Sequence, residues 1–299
     1  MSNTKNKKII LVTGGAGFVG AHLCARLLKD GHRVISLDNY FTGSKESHVP
    51  GVEYREGHTK DIQKHIPERI DLIYHLGEYS RVLPSLKEPE VVFDLNLLGS
   101  FAVFEFWREQ QCKLVYVGSS TKFAQPREDG VLGRDRSPYS WMKAVNCELV
   151  HNYARWYNLP YSIVYFYNVY GPGERAGQEG GKYGTVIETF KQAYLQHTPC
   201  KINGTGEQTR AFTHVDDTID GIVCVGEQGG ADEYAISAKE VHSLLDVAHM
   251  FGNAIEFLPA TKSTRSSGTE DTTKLEALGW KQQHTLVEYI QNIVEENKK

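Results

Sequence analysis

No run of apolar residues in this 299-residue chain is long enough to cross a bilayer. The basic opening, Met1 through Lys8, leads into only four apolar residues, Ile9-Ile10-Leu11-Val12, before Thr13-Gly14-Gly15. That is too short for a signal-peptide core or a transmembrane helix, so a soluble, cytoplasmic protein with no membrane partner is expected. Cysteine is sparse: Cys24, Cys112, Cys147, Cys200 and Cys224 show no paired spacing, which excludes a disulfide framework or cysteine-bound zinc and suits a reducing compartment. The twelve histidines lack metal-ligand spacing as well, so no metal is expected. Basic charge is not in excess either. A formal net charge of −4 and a pI near 6.3 give no electrostatic reason to expect nucleic acid. Internal repeats and low-complexity tracts are absent.

What is present begins at the first apolar run. Lys8-Ile9-Ile10-Leu11-Val12 reads as a buried strand, and residues 19–29, with Val19, Leu23, Leu27 and Leu28 apolar, read as a helix closed by Gly31. Between them lies Thr13-Gly14-Gly15-Ala16-Gly17-Phe18-Val19-Gly20. Glycines 14, 17 and 20 at a strand-to-helix turn let the backbone approach a pyrophosphate, which the first N–H groups of the helix then face. The next strand, Arg33-Val34-Ile35-Ser36-Leu37, ends in Asp38, placed to accept both hydroxyls of an adenosine ribose and to repel a 2′-phosphate. The motif therefore predicts NAD rather than NADP.

Further apolar runs at 72–76, 113–117 and 162–166 are separated by helical patterns near 91–110 and 139–157. Such alternation predicts an α/β fold, a Rossmann-type doubly wound parallel sheet whose ligands sit at the strands' carboxyl ends. After Gly171-Pro172-Gly173 the character changes: a glycine-rich stretch, a helix at 185–196, short strands, and a return to the sheet near Tyr234-Ala235-Ile236. The expected division is an NAD-binding domain over 1–168, with a returning segment near 211–240, and a smaller C-terminal α/β substrate region over 169–299. Thr285-Leu286-Val287-Glu288 reads as a capping box before a final amphipathic helix.

Tyr139-Ser140-Trp141-Met142-Lys143 is the sole Tyr-x-x-x-Lys among sixteen tyrosines. On a helix the two side chains share a face, and the ammonium favours the phenolate, making Tyr139 a usable general base. Some twenty residues earlier, Gly118-Ser119-Ser120-Thr121 presents hydroxyls at a strand end. Hydroxyl, tyrosine and lysine at the mouth of a dinucleotide site form a set for taking a hydroxyl proton while hydride leaves for nicotinamide.

With these residues in view the chain resembles the extended short-chain dehydrogenase/reductases of the NAD-dependent nucleotide-sugar epimerase/dehydratase family. The likeness also rests on His75-Leu76-Gly77-Glu78, where the family has His-Leu-Ala-Ala, and on Asn96, Asn168-Val169-Tyr170-Gly171-Pro172, Gln208-Thr209-Arg210, His214-Val215-Asp216-Asp217 and Leu278-Gly279-Trp280. It implies NAD contacts from Gly14, Gly17, Phe18, Val19, Gly20, Asp38, Asn39, Leu76, Tyr139 and Lys143. It also implies diphosphate contacts to a nucleotide-sugar substrate from Asn168, Arg210 and Arg265, and a homodimer formed through the helices around 96–110 and 139–157. Asp216 and Asp217 are read as caps of a helix beginning near Thr218.

Two departures shape the functional expectation. Where dehydratases of the family usually carry Thr-Asp-Glu, this chain has Ser119, Ser120 and Thr121. The hydroxyl set looks like that of a 4-epimerase, with Tyr139, Lys143, Ser119 and Thr121 acting on the sugar. Yet the phrases around Glu78-Tyr79-Ser80-Arg81 resemble a branch assigned as 4,6-dehydratases of nonulosonic-acid pathways, in which Glu78 would supply the missing acid or base. Net oxidation or reduction of a keto-sugar and a non-catalytic nucleotide-binding module are the remaining alternatives. His58-Thr59 also replaces the family's usual adenine-holding Asp-Ile.

Overall fold

The computed structural model describes residues 7–123, 130–174, 184–259 and 270–298. Its strands in chain order are β1 (Ile9–Thr13), β2 (Arg33–Asp38), β3 (Glu53–Glu56), β4 (Leu72–His75), β5 (Lys113–Val117), β6 (Tyr161–Phe166), β7 (Val169–Tyr170), β8 (Cys200–Asn203), β9 (Thr209–Ala211), β10 (Thr213–His214), β11 (Glu233–Ile236), β12 (Val241–Ser243) and β13 (Ile255–Leu258). The longer helices are α1 (Phe18–Lys29), α2 (Gly99–Gln110), α3 (Pro138–Tyr157), α4 (Val186–Leu195), α5 (Val215–Gln228), α6 (Leu244–Phe251) and α7 (Leu286–Glu296).

Among the described residues, seven strands form one sheet in the order β11-β6-β5-β4-β1-β2-β3, with every pairing parallel. Parallel strands buried on both faces need apolar side chains on both, which is why β1 and β5 read as unbroken runs rather than alternating ones. One face packs Leu11, Ile73, Leu114 and Ile163 against Val103, Phe104 and Trp107 of α2 and Val150 and Tyr153 of α3. The other packs Ile10, Val12, Val115 and Val164 against Leu23 and Leu27 of α1 and Ile219 and Ile222 of α5. The result is the Rossmann-type, doubly wound α/β sheet expected. Strand order reverses between β1 and β4, the switch point where such sheets bind ligands. Register pairs Thr13 with both Leu37 and His75, and His75 with Tyr116, so Gly14, Asp38, Leu76 and Val117 emerge along one edge. A separate apolar cluster joins Tyr170, Ile187, Phe190, Cys200, Ile202 and Phe251 to Leu286 and Ile290 of α7.

Local differences from the sequence expectation have physical causes. The predicted 91–110 helix is divided: a turn at Pro89–Val92, a π-helical segment Phe93–Leu98, then α2. Within the wide turn, Asn96 holds Tyr79 through both its amide groups (2.6 and 3.0 Å), and its carbonyl accepts Asn146 Nδ2 at 2.7 Å. Asp216 and Asp217 do not cap the next helix. α5 starts at Val215, and His214 is its cap, Nδ1 accepting from Asp216 N at 3.2 Å. Asp217 is instead wholly buried and accepts the backbone N–H groups of Gln283 and His284 and the ring Nδ1 of His284, at 3.1, 2.9 and 3.0 Å. At α7, Thr285 Oγ1 accepts from Glu288 N at 3.3 Å while the Glu288 carboxylate takes the Thr285 hydroxyl at 2.8 Å, half of the reciprocal box. No helix among the described residues is long and apolar enough to cross a membrane.

Candidate active site

The turn after β1 is drawn tight by its own backbone: Gly14 N donates to Leu37 O at 2.9 Å and Gly17 N to Gly14 O at 3.1 Å. Gly14 has φ of +74°, and a Cβ there would meet Gly77 Cα at 2.8 Å; a Cβ at Gly20 would lie 2.1 Å from Gly14 O. The glycines are thus required by close approach of the chain to itself. Gly17 begins α1 with no side-chain cap, which leaves the first N–H groups of the helix facing the cleft. Asp38 is held at the rim, one carboxylate oxygen accepting Ala16 N (2.9 Å) and the other Tyr40 N (2.8 Å). Burial raises its carboxyl above the ordinary value, and these two N–H groups pull the other way. An uncapped helix start, a backbone cradle and an acid at the end of β2 fit a dinucleotide.

The cleft along this edge has a volume of about 680 Å³. It brings together Gly14, Gly17, Phe18, Val19, Gly20, Asp38, Asn39 and Leu76 with Glu78, Ser119, Thr121, Tyr139 and Lys143, and with Asn168 and Arg210. Arg265 lies outside the described residues. Ser119 and Thr121 leave β5 with their hydroxyls 2.9 Å apart. Tyr139 and Lys143 stand one turn apart on α3, whose start is fixed by Pro138 in the first turn and by Ser137 Oγ accepting Ser140 N at 3.1 Å. Asn168 adopts φ of +37° and donates through Nδ2 to Ala211 O at 2.7 Å, joining the end of β6 to β9, which carries Arg210. Thr59 also lines the cleft, while His58 bonds Asp94 at 3.0 Å.

Glu78 behaves differently from the sequence expectation. Its side chain is only 1% exposed and forms an ion pair with Lys143 Nζ. Oε1 accepts Ser100 Oγ at 2.7 Å, Asn146 Nδ2 at 2.9 Å and the Tyr116 hydroxyl at 3.1 Å. Burial is the largest single influence and opposes its charge, but the Lys143 ammonium, His75 and the Ser100 hydroxyl together outweigh it and hold the carboxyl below its ordinary value. A carboxylate that already accepts from four donors has little capacity left to exchange protons with a sugar.

Sequence reasoning missed Ser100, Tyr116 and Asn146 as partners of this group. Asn146 was the one within reach, since it follows Lys143 by three positions on the same helix face. Glu174 was missed too: it lines the cleft, its Oε1 accepts the Thr185 hydroxyl, and burial pushes its carboxyl up to about 7.

The sequence profile of the NAD dependent epimerase/dehydratase family matches residues 10–237. The chain belongs to that family. It is therefore an NAD-dependent enzyme of nucleotide-sugar metabolism. Among curated relatives of the family, it is 30% identical over 303 residues to a putative UDP-glucose 4-epimerase of Methanocaldococcus jannaschii, covering 96% of this chain and 97% of that protein. It is 27% identical over 294 residues to UDP-glucuronic acid decarboxylase 1 of Xenopus tropicalis, covering 92% of this chain and 69% of that one. The solved UDP-glucose 4-epimerase of Thermus thermophilus, in complex with NAD, superposes with a TM-score of 0.81 at 26% identity, covering 96% and 98% of the two chains.

Proposed function

We propose that this family member is a nucleotide-sugar 4-epimerase. NAD, when bound, supplies a hydride acceptor for the sugar's C4 and returns the hydride. Tyr139 takes the proton of the C4 hydroxyl as C4 is oxidised and gives it back on reduction. Ser119 and Thr121, whose hydroxyls already face one another at 2.9 Å, hold that oxygen. Lys143 keeps positive charge beside the phenol, which favours phenolate. Asn168 and Arg210 receive the diphosphate, a task suited to a guanidinium and an amide. A second copy of the chain completes the assembly.

The observation that carries the epimerase reading is the chemistry at the end of β5. At this strand end Ser119, Ser120 and Thr121 offer hydroxyls and no carboxylic acid, Glu78 already accepts from four donors, and the other cleft carboxyl, Glu174, accepts from the Thr185 hydroxyl. Oxidation followed by re-addition from the opposite face needs no further acid or base. Elimination of water does.

A panel of nucleotide sugars tests this, with NMR reading C4 inversion and mass spectrometry reading loss of water or carbon dioxide. Inversion without mass change is expected, and Tyr139→Phe should slow it by about 10² to 10⁴ while NAD still binds. Release of a 4-keto-6-deoxy sugar or of carbon dioxide, with no C4 epimer formed, would overturn the assignment.

A further inference from the structure

The family pattern has a small residue where this chain buries Glu78, and the surroundings of that carboxylate fix the direction of each hydrogen bond. Gly77 N donates to Thr13 Oγ1 at 3.0 Å, so the Thr13 hydroxyl is free to donate to His75 Nδ1 at 2.7 Å. Burial pushes His75 down to about 4, so its ring is neutral, and because the Ser100 hydroxyl gives its one proton to Glu78, Nε2, 3.0 Å from Ser100 Oγ, is the nitrogen that donates. The Ser100 hydroxyl in turn ends on Glu78 Oε1. With Tyr116 and Asn146 on the same oxygen and Lys143 on the other, the carboxylate accepts from four donors, three of them crowded on Oε1. An ammonium has three donors; Lys143 spends one on Glu78 and one on Val117 O at 2.6 Å.

We propose that Glu78 is a positioning residue for the oxidation step: a buried counter-ion that holds the Lys143 ammonium in place and charged, with one N–H donor left for the cleft. The proposal rests on the roles given to Tyr139 and Lys143 above. Lys143 is 5% exposed, and an ammonium so far from water sheds its proton readily unless an anion stands beside it. The groups facing it do not otherwise provide one. His75 is neutral, and the Tyr116 phenol, its ring centroid 5.0 Å from Nζ, is held protonated by burial. On its own helix the neighbours one turn away are Tyr139 and the buried thiol of Cys147. Among the described residues, Glu78 is the carboxylate paired with Lys143. The chain from Gly77 and Thr13 to Glu78 also ties the lysine to the glycine turn that shapes the cofactor cradle, so charge and geometry are set together.

The test reads Lys143 directly and does not depend on turnover. Protein labelled with ¹³C at the lysine Cε is titrated by NMR, and the Lys143 signal is assigned by its loss in Lys143→Arg. In Glu78→Gln, which keeps shape and an acceptor oxygen but drops the charge, the Lys143 signal should change to its deprotonated form at a lower pH than in the wild type. With an active substrate in hand, the alkaline limb of kcat should move down alongside. An unmoved Lys143 titration in a folded Glu78→Gln protein would overturn the proposal. If circular dichroism shows that variant unfolded, Glu78→Asp replaces it: the shorter side chain lengthens the pair, so a smaller downward shift is expected, and no shift would overturn the idea equally. A wild type that turns over no nucleotide sugar would count against the epimerase reading alone, because the titration still decides the role of Glu78.

Discussion

Asp38 shows how one side chain sets cofactor choice. Its two oxygens are aimed by Ala16 N and Tyr40 N, so the carboxylate has little freedom to swing away from a 2′-phosphate. Like charges brought together in a half-desolvated site cost several kcal/mol, and about 1.4 kcal/mol is a factor of ten in affinity. Purified protein should bind NAD ahead of NADP by well over tenfold, and Asp38→Asn, which removes the charge and keeps an acceptor for only one of the two N–H groups, should narrow that ratio by about tenfold. Calorimetric titration with each dinucleotide measures it; a ratio unchanged by the substitution would show that charge at this position is not the discriminator. Asp38 was legible because strand, turn and acid follow one another within thirty residues. Glu78 was not. Its role depends on Ser100, Tyr116, Lys143 and Asn146, which lie 22 to 68 positions away and meet it only once β4, β5 and two helices are assembled.

At the scale of elements, His75 links β1, β4 and α2 through Thr13 and Ser100 while wholly buried. Its folded value of about 4 lies below the ordinary value of 6.5, so between these the unfolded chain binds more protons than the folded one. The stabilisation this difference supplies, about 3 kcal/mol at its fullest, is present above pH 6.5 and is lost as pH falls toward 4. Urea unfolding followed from pH 7 to 4.5 should show the decline, and His75→Asn should flatten it; an equally steep decline in the variant would assign it to other groups. Strands and the long helix over 138–157 were readable from apolar period and from Pro138. The π segment and the role of Asp217 were not, because both are decided by tertiary partners: Tyr79 and Asn146 for Asn96, and the 283–284 backbone for Asp217. A sequence window around Asp216 and Asp217 contains the helix they open but not the loop one of them fastens.

For the whole molecule, the question is what covers the outer surface of the helices on the α2–α3 side of the sheet. The apolar side chains there divide into two sets. Phe104, Phe106 and Trp107 are spent on the core, at 0, 2 and 0% exposure. Phe101, Trp141, Trp156 and Tyr157 remain 49, 40, 58 and 43% exposed, joined by Phe93 and Leu98 at 45 and 53% on the adjoining π segment. α2 and α3 pack on each other, and Arg108 of α2 lies 5.4 Å from the Tyr157 ring of α3, so part of this surface is continuous between the two helices. Large exposed aromatic area of this kind is uncommon on a monomer and characteristic of an interface. An isologous two-fold would bury the same helices of both copies against each other, which is the arrangement the family resemblance implies. We expect a homodimer in light scattering coupled to gel filtration, and Phe101→Glu combined with Trp156→Glu should shift it to monomer without unfolding it, because neither side chain contributes to the buried core. A wild-type mass that stays monomeric as concentration rises would remove the dimer and leave these aromatics to be explained by another partner.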